Sequence, residues 1–294
     1  MSTIAKTVVT TGATSGIGFE AVKQLLFQSQ PYNFIVGARD LKATTDAYNG
    51  LKYDSGRHTV TILPLELNNM RAVKTFAQVT LEKLALTPID YLMLNAATAM
   101  SKKVAETGPH GSRWIEPYLV NHLSQHYLLH LLRPKLEQSN TRVVVVSSGA
   151  VRVVKDPSTL ENEMLASKDT GESVYAATKF IQLLGTHWWR RQLPHSCVVV
   201  AVSPGLIPNT GLSRGSSMKM PLNDPDAKSV PEGARSVLRA FTRNDLPDDS
   251  EQIFLTSWGE FWPKDVYGLT LDKSLQEKWS PSQETIEKEE GVTA

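Results

Sequence analysis

Six short runs rich in β-branched and other apolar residues recur along the chain, at 7–11, 34–38, 59–65, 91–94, 142–147 and 197–203. A longer amphipathic stretch separates each from the next, and a seventh, weaker run lies at 252–256. This alternation is a severe constraint. Parallel neighbours in a sheet need a crossover of about a dozen residues or more, so strands and helices must take turns. Val143-Val144-Val145-Val146 is apolar without a break, as a strand covered on both faces requires. The pattern predicts an α/β fold: a doubly wound parallel sheet of seven strands with helices on both faces. Those helices are expected to begin near Ile17, Leu41, Asn69, Gly111, Ser173 and Pro231.

The chain has 294 residues, 41% hydrophobic and 21% charged, which supports a packed core rather than disorder. No composition break serves as a linker, so residues 1–294 read as one domain, although the length alone would allow two. Within it, 206–230 is rich in Gly, Ser, Pro and Asn and reads as a substrate lid. The lid carries Leu212, Met218, Met220 and Leu222, with Arg214 and Lys219 among its few charges; it suits a fairly apolar small molecule. Residues 258–294 read as a helical tail, with Ser280 as N-cap, Pro281 at the first helical position and Gln283 at the third. Lys+Arg total 31 against 30 for Asp+Glu, a balance that argues against a nucleic-acid partner or an anionic membrane surface. No apolar stretch approaches the ~20 residues of a membrane span. Met1–Lys6 is short and polar, leaving no room for a signal peptide, so a cytoplasmic protein is expected. The single cysteine, Cys197, reads as a buried strand residue.

Between the first strand and the first helix lies Thr11-Gly12-Ala13-Thr14-Ser15-Gly16-Ile17-Gly18. Glycines at this place let the backbone approach a pyrophosphate, and the free N–H groups and dipole of the helix N-terminus favour the negative charge. The spacing is one residue longer at the front than the usual dinucleotide fingerprint of a Rossmann-type fold, and alone it fits a tight turn equally well. The second strand ends in Gly37-Ala38-Arg39. An NAD enzyme would place a carboxylate there for the ribose 2′-OH; an arginine suits a 2′-phosphate instead. The expected cofactor is therefore NADP(H). Glu66 and Leu67 after the third strand are placed for the adenine edge, Glu66 fitting a helix-capping role as well. Asn95, Ala96 and Ala97 after the fourth are small enough to let backbone pass close to a ribose. Downstream, Tyr175 and Lys179 stand four residues apart, one turn apart on one helix face.

Six landmarks in order, Thr11–Gly18, Asn95-Ala96-Ala97, Asn121, Ser147-Ser148, Tyr175-x-x-x-Lys179 and Pro204-Gly205, resemble the short-chain dehydrogenase/reductase family over nearly the whole chain. Val120-Asn121-His122-Leu123, Leu94-Asn95-Ala96-Ala97 and Pro204-Gly205-Leu206-Ile207 leading to Thr210-Gly211-Leu212 are similar to the branch with retinol dehydrogenases, WW-domain oxidoreductases and protochlorophyllide reductases. The tail from Ser257-Trp258-Gly259 is similar to fungal pathway reductases of this type. Thr98 and Ser124 stand where the family has glycine, and Glu66 where aspartate is commoner.

The resemblance implies a role for each matching residue. Tyr175 would be the general acid that protonates a carbonyl oxygen as hydride arrives, its ordinary value near ~10 lowered by the charge of Lys179 and of the oxidised nicotinamide. Lys179 would also hold the nicotinamide ribose. Ser148 would bind the substrate oxygen; Ser147, its neighbour, points to the other face. Asn121 would hold a water linking Lys179 to solvent. Pro204 and Gly205 would shape the backbone under the nicotinamide, and Ile207 and Thr210 would contact its carboxamide. The resemblance thus implies an NADPH-dependent carbonyl reductase, or the reverse alcohol dehydrogenase. The alternatives are reduction of an activated C=C bond and a non-catalytic NADP(H)-binding regulator. Relatives that dimerise through the helices carrying Asn121 and Tyr175 leave both monomer and homodimer open, since the tail could cover that surface.

Three other signals read more plainly. His122, His126 and His130 share a helix face but lack a carboxylate or cysteine to complete a metal site, so they read as packing or interface residues and no metal is expected. Trp188-Trp189-Arg190-Arg191 reads as a helix end with one indole buried and the arginines solvated. Glu287-Lys288-Glu289-Glu290 reads as a solvated helix face.

Overall fold

The computed structural model of the chain describes residues 4–99, 105–167, 174–208, 210–213 and 226–292. Seven strands make one sheet: β1 (Lys6–Thr11), β2 (Tyr32–Ala38), β3 (Thr59–Pro64), β4 (Tyr91–Leu94), β5 (Arg142–Val146), β6 (Val198–Val202) and β7 (Phe254–Leu255). Their order is β3-β2-β1-β4-β5-β6-β7, and every neighbouring pair is parallel. The order reverses between β1 and β4. At such a switch point the connections leave toward opposite faces, and a crevice opens at the carboxyl ends of the strands.

The helices are α1 (Gly16–Leu26), α2 (Leu41–Asn49), α3 (Met70–Leu84), α4 (Glu116–Tyr118), α5 (Ser124–Ser139), α6 (Leu160–Met164), α7 (Val174–Gln192), α8 (Val230–Thr242), α9 (Lys273–Lys278) and α10 (Gln283–Glu289). Alternation along each strand sends successive side chains to opposite faces. Val9, Val143 and Val145 join the core with α3, α5 and α7. Val8, Val144 and Val146 join the core with α1 and α8. Helix starts follow local chemistry. Asp40 caps α2 by accepting from the Ala43 N–H, Asn69 caps α3, and Ser229 with Glu232 forms a capping box on α8. A π turn, Leu119–Leu123, carries Asn121 into α5.

The ends of all the expected strands lie within two residues of the observed ones, and 252–256 shortens to the two-residue edge strand β7. The helix expected near Gly111 begins later; a short 3₁₀ turn at Pro109–Gly111 comes first. Ser173 and lid residues 209 and 214–225, with Arg214, Met218, Lys219, Met220 and Leu222, lie outside the described residues. Among those described, no helix is long and apolar enough to cross a membrane, and no cluster of His, Cys, Asp or Glu is placed to hold a metal ion.

The tail departs most from expectation. Trp279, Ile286 and Val292 enter the core shared by α3, α5 and α7. The three histidines meet the carbonyls of this segment: His122 Nε2 lies 2.7 Å from the Trp279 oxygen and His126 Nε2 2.9 Å from that of Pro281. Trp189 Nε1 donates to His126 Nδ1 at 2.8 Å. The His126 proton therefore belongs on Nε2, where it donates to Pro281. Both indoles are buried, Trp188 as well as Trp189, because the tail roofs them. Of the run 287–290, Lys288 and Glu289 are exposed as expected, whereas Glu287 and Glu290 are half-buried against the body. Tyr127 donates to Glu287 at 2.7 Å, Ser112 donates to Glu290 at 2.9 Å, and Arg113 pairs with Glu289 at 3.4 Å. The cap of α10 is Ser282, not Ser280, since the Pro281 carbonyl turns inward to the histidines.

Burial lowers His122 to about 4 from an ordinary 6.5 and lowers His126 and His130 as well. Neutral rings thus contribute stability that is complete above about pH 6.5 and lost as pH falls toward about 4. Thermal melts from about pH 7.5 to about 4.5 should show Tm falling through that window; a flat Tm would contradict the neutral-histidine docking. Trp279→Ala should cost about 3–5 kcal/mol in denaturant unfolding.

Candidate active site

The crevice at the switch point is held open by side chains from both halves of the sheet. The Thr11 hydroxyl, at the end of β1, accepts from the N–H groups of Asn95 and Ala96 beyond β4, at 3.2 and 3.3 Å. Asn95 Nδ2 donates to the Gly12 carbonyl at 2.7 Å, and Tyr48 of α2 donates to the Ala13 carbonyl at 2.7 Å. The glycine turn is thereby fixed from two sides. A Cβ on Gly12, whose φ is +68°, would sit 2.5 Å from the Ala96 backbone, and one on Gly18 would sit 2.3 Å from the Gly12 oxygen. Only hydrogen fits at either place.

A cavity of about 580 Å³ runs along the carboxyl ends of the strands. Every predicted site residue lines it except Gly18 and Asn121. From the turn come Gly12, Thr14, Ser15, Gly16 and Ile17; from the β2 end, Arg39; from the β3 end, Glu66 and Leu67. Asn95, Ala96 and Ala97 follow β4, Ser148 follows β5, and Tyr175 and Lys179 project from α7. Pro204, Gly205, Ile207 and Thr210 close the far wall after β6. Gly18 lies beneath the turn, where it lets α1 approach. Asn121 is fully buried below the floor.

A dinucleotide fits these groups. Ser15 leads α1 without using its side chain as a cap, and no acidic residue occupies the first turn, so the helix N-terminus keeps its donors for an anion. Asn95 Oδ1 is buried with no hydrogen-bond partner, an acceptor the protein leaves available. Arg39 is exposed and makes no ion pair among the described residues. The adjacent carboxylate, Asp40, is taken up by the α2 cap, accepting from Ala43 N at 2.9 Å. The β2 end therefore presents positive charge.

At the opposite end the reactive side chains meet. The Ser148 hydroxyl lies within hydrogen-bonding reach of the Tyr175 hydroxyl and accepts from the Ala150 N–H at 3.1 Å. Ser147 also borders the cavity, but its hydroxyl is buried and unpartnered. Lys179 Nζ stands 5.9 Å from the Tyr175 ring centroid and donates to the Val146 carbonyl at 2.9 Å. Burial raises Tyr175 to about 12, opposed by the Ser148 hydrogen bond. Burial also depresses Lys179, to about 7, so without a cofactor both groups are drawn toward their neutral forms.

The Asn121 side chain is engaged away from the cavity. Its carboxamide is spent on the main chain beyond β4, donating to the Thr98 carbonyl and accepting from the Thr98 N–H, both at 2.8 Å. It also donates to Thr178 Oγ1 at 2.9 Å. Thr98, where glycine was the family residue, thus serves through its backbone. The bridge from Asn121 to Lys179 is made by a residue the sequence reading passed over, Gln182. Its Nε2 donates to the Asn121 carbonyl at 2.9 Å and its Oε1 accepts from Lys179 Nζ at 3.1 Å. A signal existed: a lone amide in Phe180-Ile181-Gln182-Leu183-Leu184, three residues after the lysine on the same face.

Two substitutions test this geometry. Gly18→Ala should raise the Kd for a dinucleotide by more than tenfold in a fluorescence titration, while Gly16→Ala, whose Cβ would meet Thr210 only at an ordinary 3.8 Å, should cost less despite its positive φ. Lys179 binds fewer protons folded than unfolded between pH 10.5 and about 7, so it opposes folding increasingly as pH falls through that range. Lys179→Met should raise Tm at neutral pH by about 3 °C; a lowered Tm would show that the lysine stabilises the fold.

The model of the short chain dehydrogenase family matches residues 6–220. A short-chain dehydrogenase/reductase of Pestalotiopsis microspora is 58% identical over 290 residues, covering 97% of this chain and 99% of that protein. The WW domain-containing oxidoreductase of Gallus gallus is 30% identical over 82% of this chain, which spans 59% of that longer protein. Among solved structures, the NADPH-bound carbonyl reductase from chicken fatty liver superimposes with a TM-score of 0.66 at 21% identity, over 89% of this chain and 95% of that one. With the fold, the cavity and these likenesses together, the chain belongs to the short-chain dehydrogenase/reductase family of oxidoreductases.

Proposed function

We propose that this protein is an NADPH-dependent reductase that converts a carbonyl group of a fairly apolar small molecule to an alcohol, the reverse oxidation using the same groups. The observation that carries the reading is the Ser148–Tyr175 pair of hydroxyls, which share one cavity with the glycine turn and with Arg39. The carbonyl reductase from chicken fatty liver, whose structure holds NADPH, shares the fold.

When bound, the nicotinamide supplies the hydride. Arg39 would grip the 2′-phosphate with its planar fork of donors, and the N-terminus of α1 would hold the pyrophosphate. Ser148 donates to the substrate oxygen and places it beside Tyr175. Tyr175 delivers its proton to that oxygen as negative charge develops there. A phenol kept protonated by burial, at about 12, is fully loaded for this delivery at neutral pH. Lys179 and the positive cofactor ring stabilise the phenolate left behind. Leu206, Ile207 and Leu212 give the far end of the cavity an apolar lining. A pair of hydroxyls suits a carbonyl oxygen rather than an alkene carbon, which ranks C=C reduction second.

NADPH oxidation against a panel of bulky apolar ketones, aldehydes and enones tests the reading. Tyr175→Phe should lower kcat by at least about a hundredfold; turnover close to wild type would overturn the acid assignment. Arg39→Ser should raise the Kd for NADPH by roughly tenfold to a hundredfold and leave NADH unaffected. Equal losses would remove the cofactor assignment.

A further inference from the structure

Lys179, Gln182, the Asn121 carbonyl and Gln125 form a connected run of hydrogen bonds beneath the reactive end. Lys179 Nζ has three donors as an ammonium. One goes to the Val146 carbonyl at 2.9 Å and a second to Gln182 Oε1 at 3.1 Å. Gln182 in turn donates to the Asn121 carbonyl at 2.9 Å. Gln125, on α5, donates to the Val120 carbonyl at 2.9 Å and to that of Asn121 at 3.4 Å. Lys179 and Gln182 are both buried. The third donor of Lys179 is left for the cavity side, where Tyr175 stands.

We propose that Gln182 is a positioning residue for Lys179: its carboxamide, anchored on the Asn121 carbonyl, accepts from the ammonium and holds it charged and aimed into the cavity.

The physical case is one of desolvation against hydrogen bonding. Burial alone depresses Lys179, and an acceptor aimed at the charged form opposes that depression. The elements packed around the bridge bring little else that titrates. β5 offers the Val146 carbonyl, and α7 offers Tyr175. The π turn offers Asn121 and His122. His122 is kept neutral by burial and bound to the Trp279 carbonyl, with its ring against Gly185. Removing the Gln182 acceptor should then move the titration of Lys179 downward, and a carboxylate in its place should move it upward.

Gln182→Leu and Gln182→Glu separate this role from packing. NADPH affinity, read by fluorescence across pH, and the pH profile of kcat with any ketone turned over should each show an alkaline limb. The limb should move to lower pH by about one unit in Gln182→Leu and to higher pH in Gln182→Glu, with Gln182→Asn retaining measurable binding and a limb between those of wild type and the leucine variant. A limb absent in wild type, unmoved in both variants or moved the same way in both would overturn the proposal. The kinetic arm rests on the carbonyl-reductase reading, but the binding arm does not. If no ketone is turned over, the binding limb still decides the role of Gln182. Melting temperatures of the three variants identify a loss caused by unfolding alone, in which case Gln182→Asn, the smallest change, decides.

Discussion

Everything at the carboxyl edge of the sheet depends on one stitch, the hydrogen bonds from Thr11 and Asn95 that tie the end of β1 to the exit of β4. Strands of a parallel sheet end in loops with no ladder partners, and their N–H and C=O groups must be satisfied some other way. Here a buried hydroxyl and a carboxamide do it. The same contacts press the glycine turn against the Ala96 backbone so closely that a methyl group would not fit. The crevice is rigid where a pyrophosphate would lie because its two walls are bonded to each other.

The other end of the cavity is governed by burial. Lys179 and Tyr175 sit one turn apart on α7, and both are pushed toward their neutral forms, to about 7 and about 12. A neutral phenol is a loaded acid. Its conjugate base becomes tolerable when positive charge arrives with the cofactor and when Lys179 is held as an ammonium. On the proposed reading the acid is stored in the protonated state, and hydrogen bonds from Ser148 and Gln182 set its partners in place. Of the two, buried Lys179 opposes folding at neutral pH, the usual cost of a prearranged site.

The sheet was legible because each strand is an apolar run bounded by an amphipathic helix, and the apolar face of such a helix has one place to go. The cradle was legible because glycines, an arginine and a Tyr/Lys pair carry chemistry at fixed spacing. The features that stayed hidden depend on long-range contact. Nothing local in Thr11 or Tyr48 says that their hydroxyls will hold the turn. Glu287, Glu289 and Glu290 read as a solvated face because their partners, Tyr127, Arg113 and Ser112, lie more than a hundred and fifty residues away. Gln182 was passed over because a single amide in an apolar helix has no motif. Burial of Tyr175, which raises it before any cofactor charge arrives, was not visible in the sequence, whereas its proximity to Lys179 was.

The most direct test is a crystal structure of the protein with NADP⁺ and an alcohol product of one of its own ketones. The account predicts the pyrophosphate over Gly12–Gly18, the 2′-phosphate against Arg39, and the product hydroxyl within hydrogen-bonding distance of both Ser148 Oγ and Tyr175 Oη, with Gln182 still bound to Lys179. A product oxygen that meets neither hydroxyl, or a cofactor seated away from the glycine turn, would contradict it.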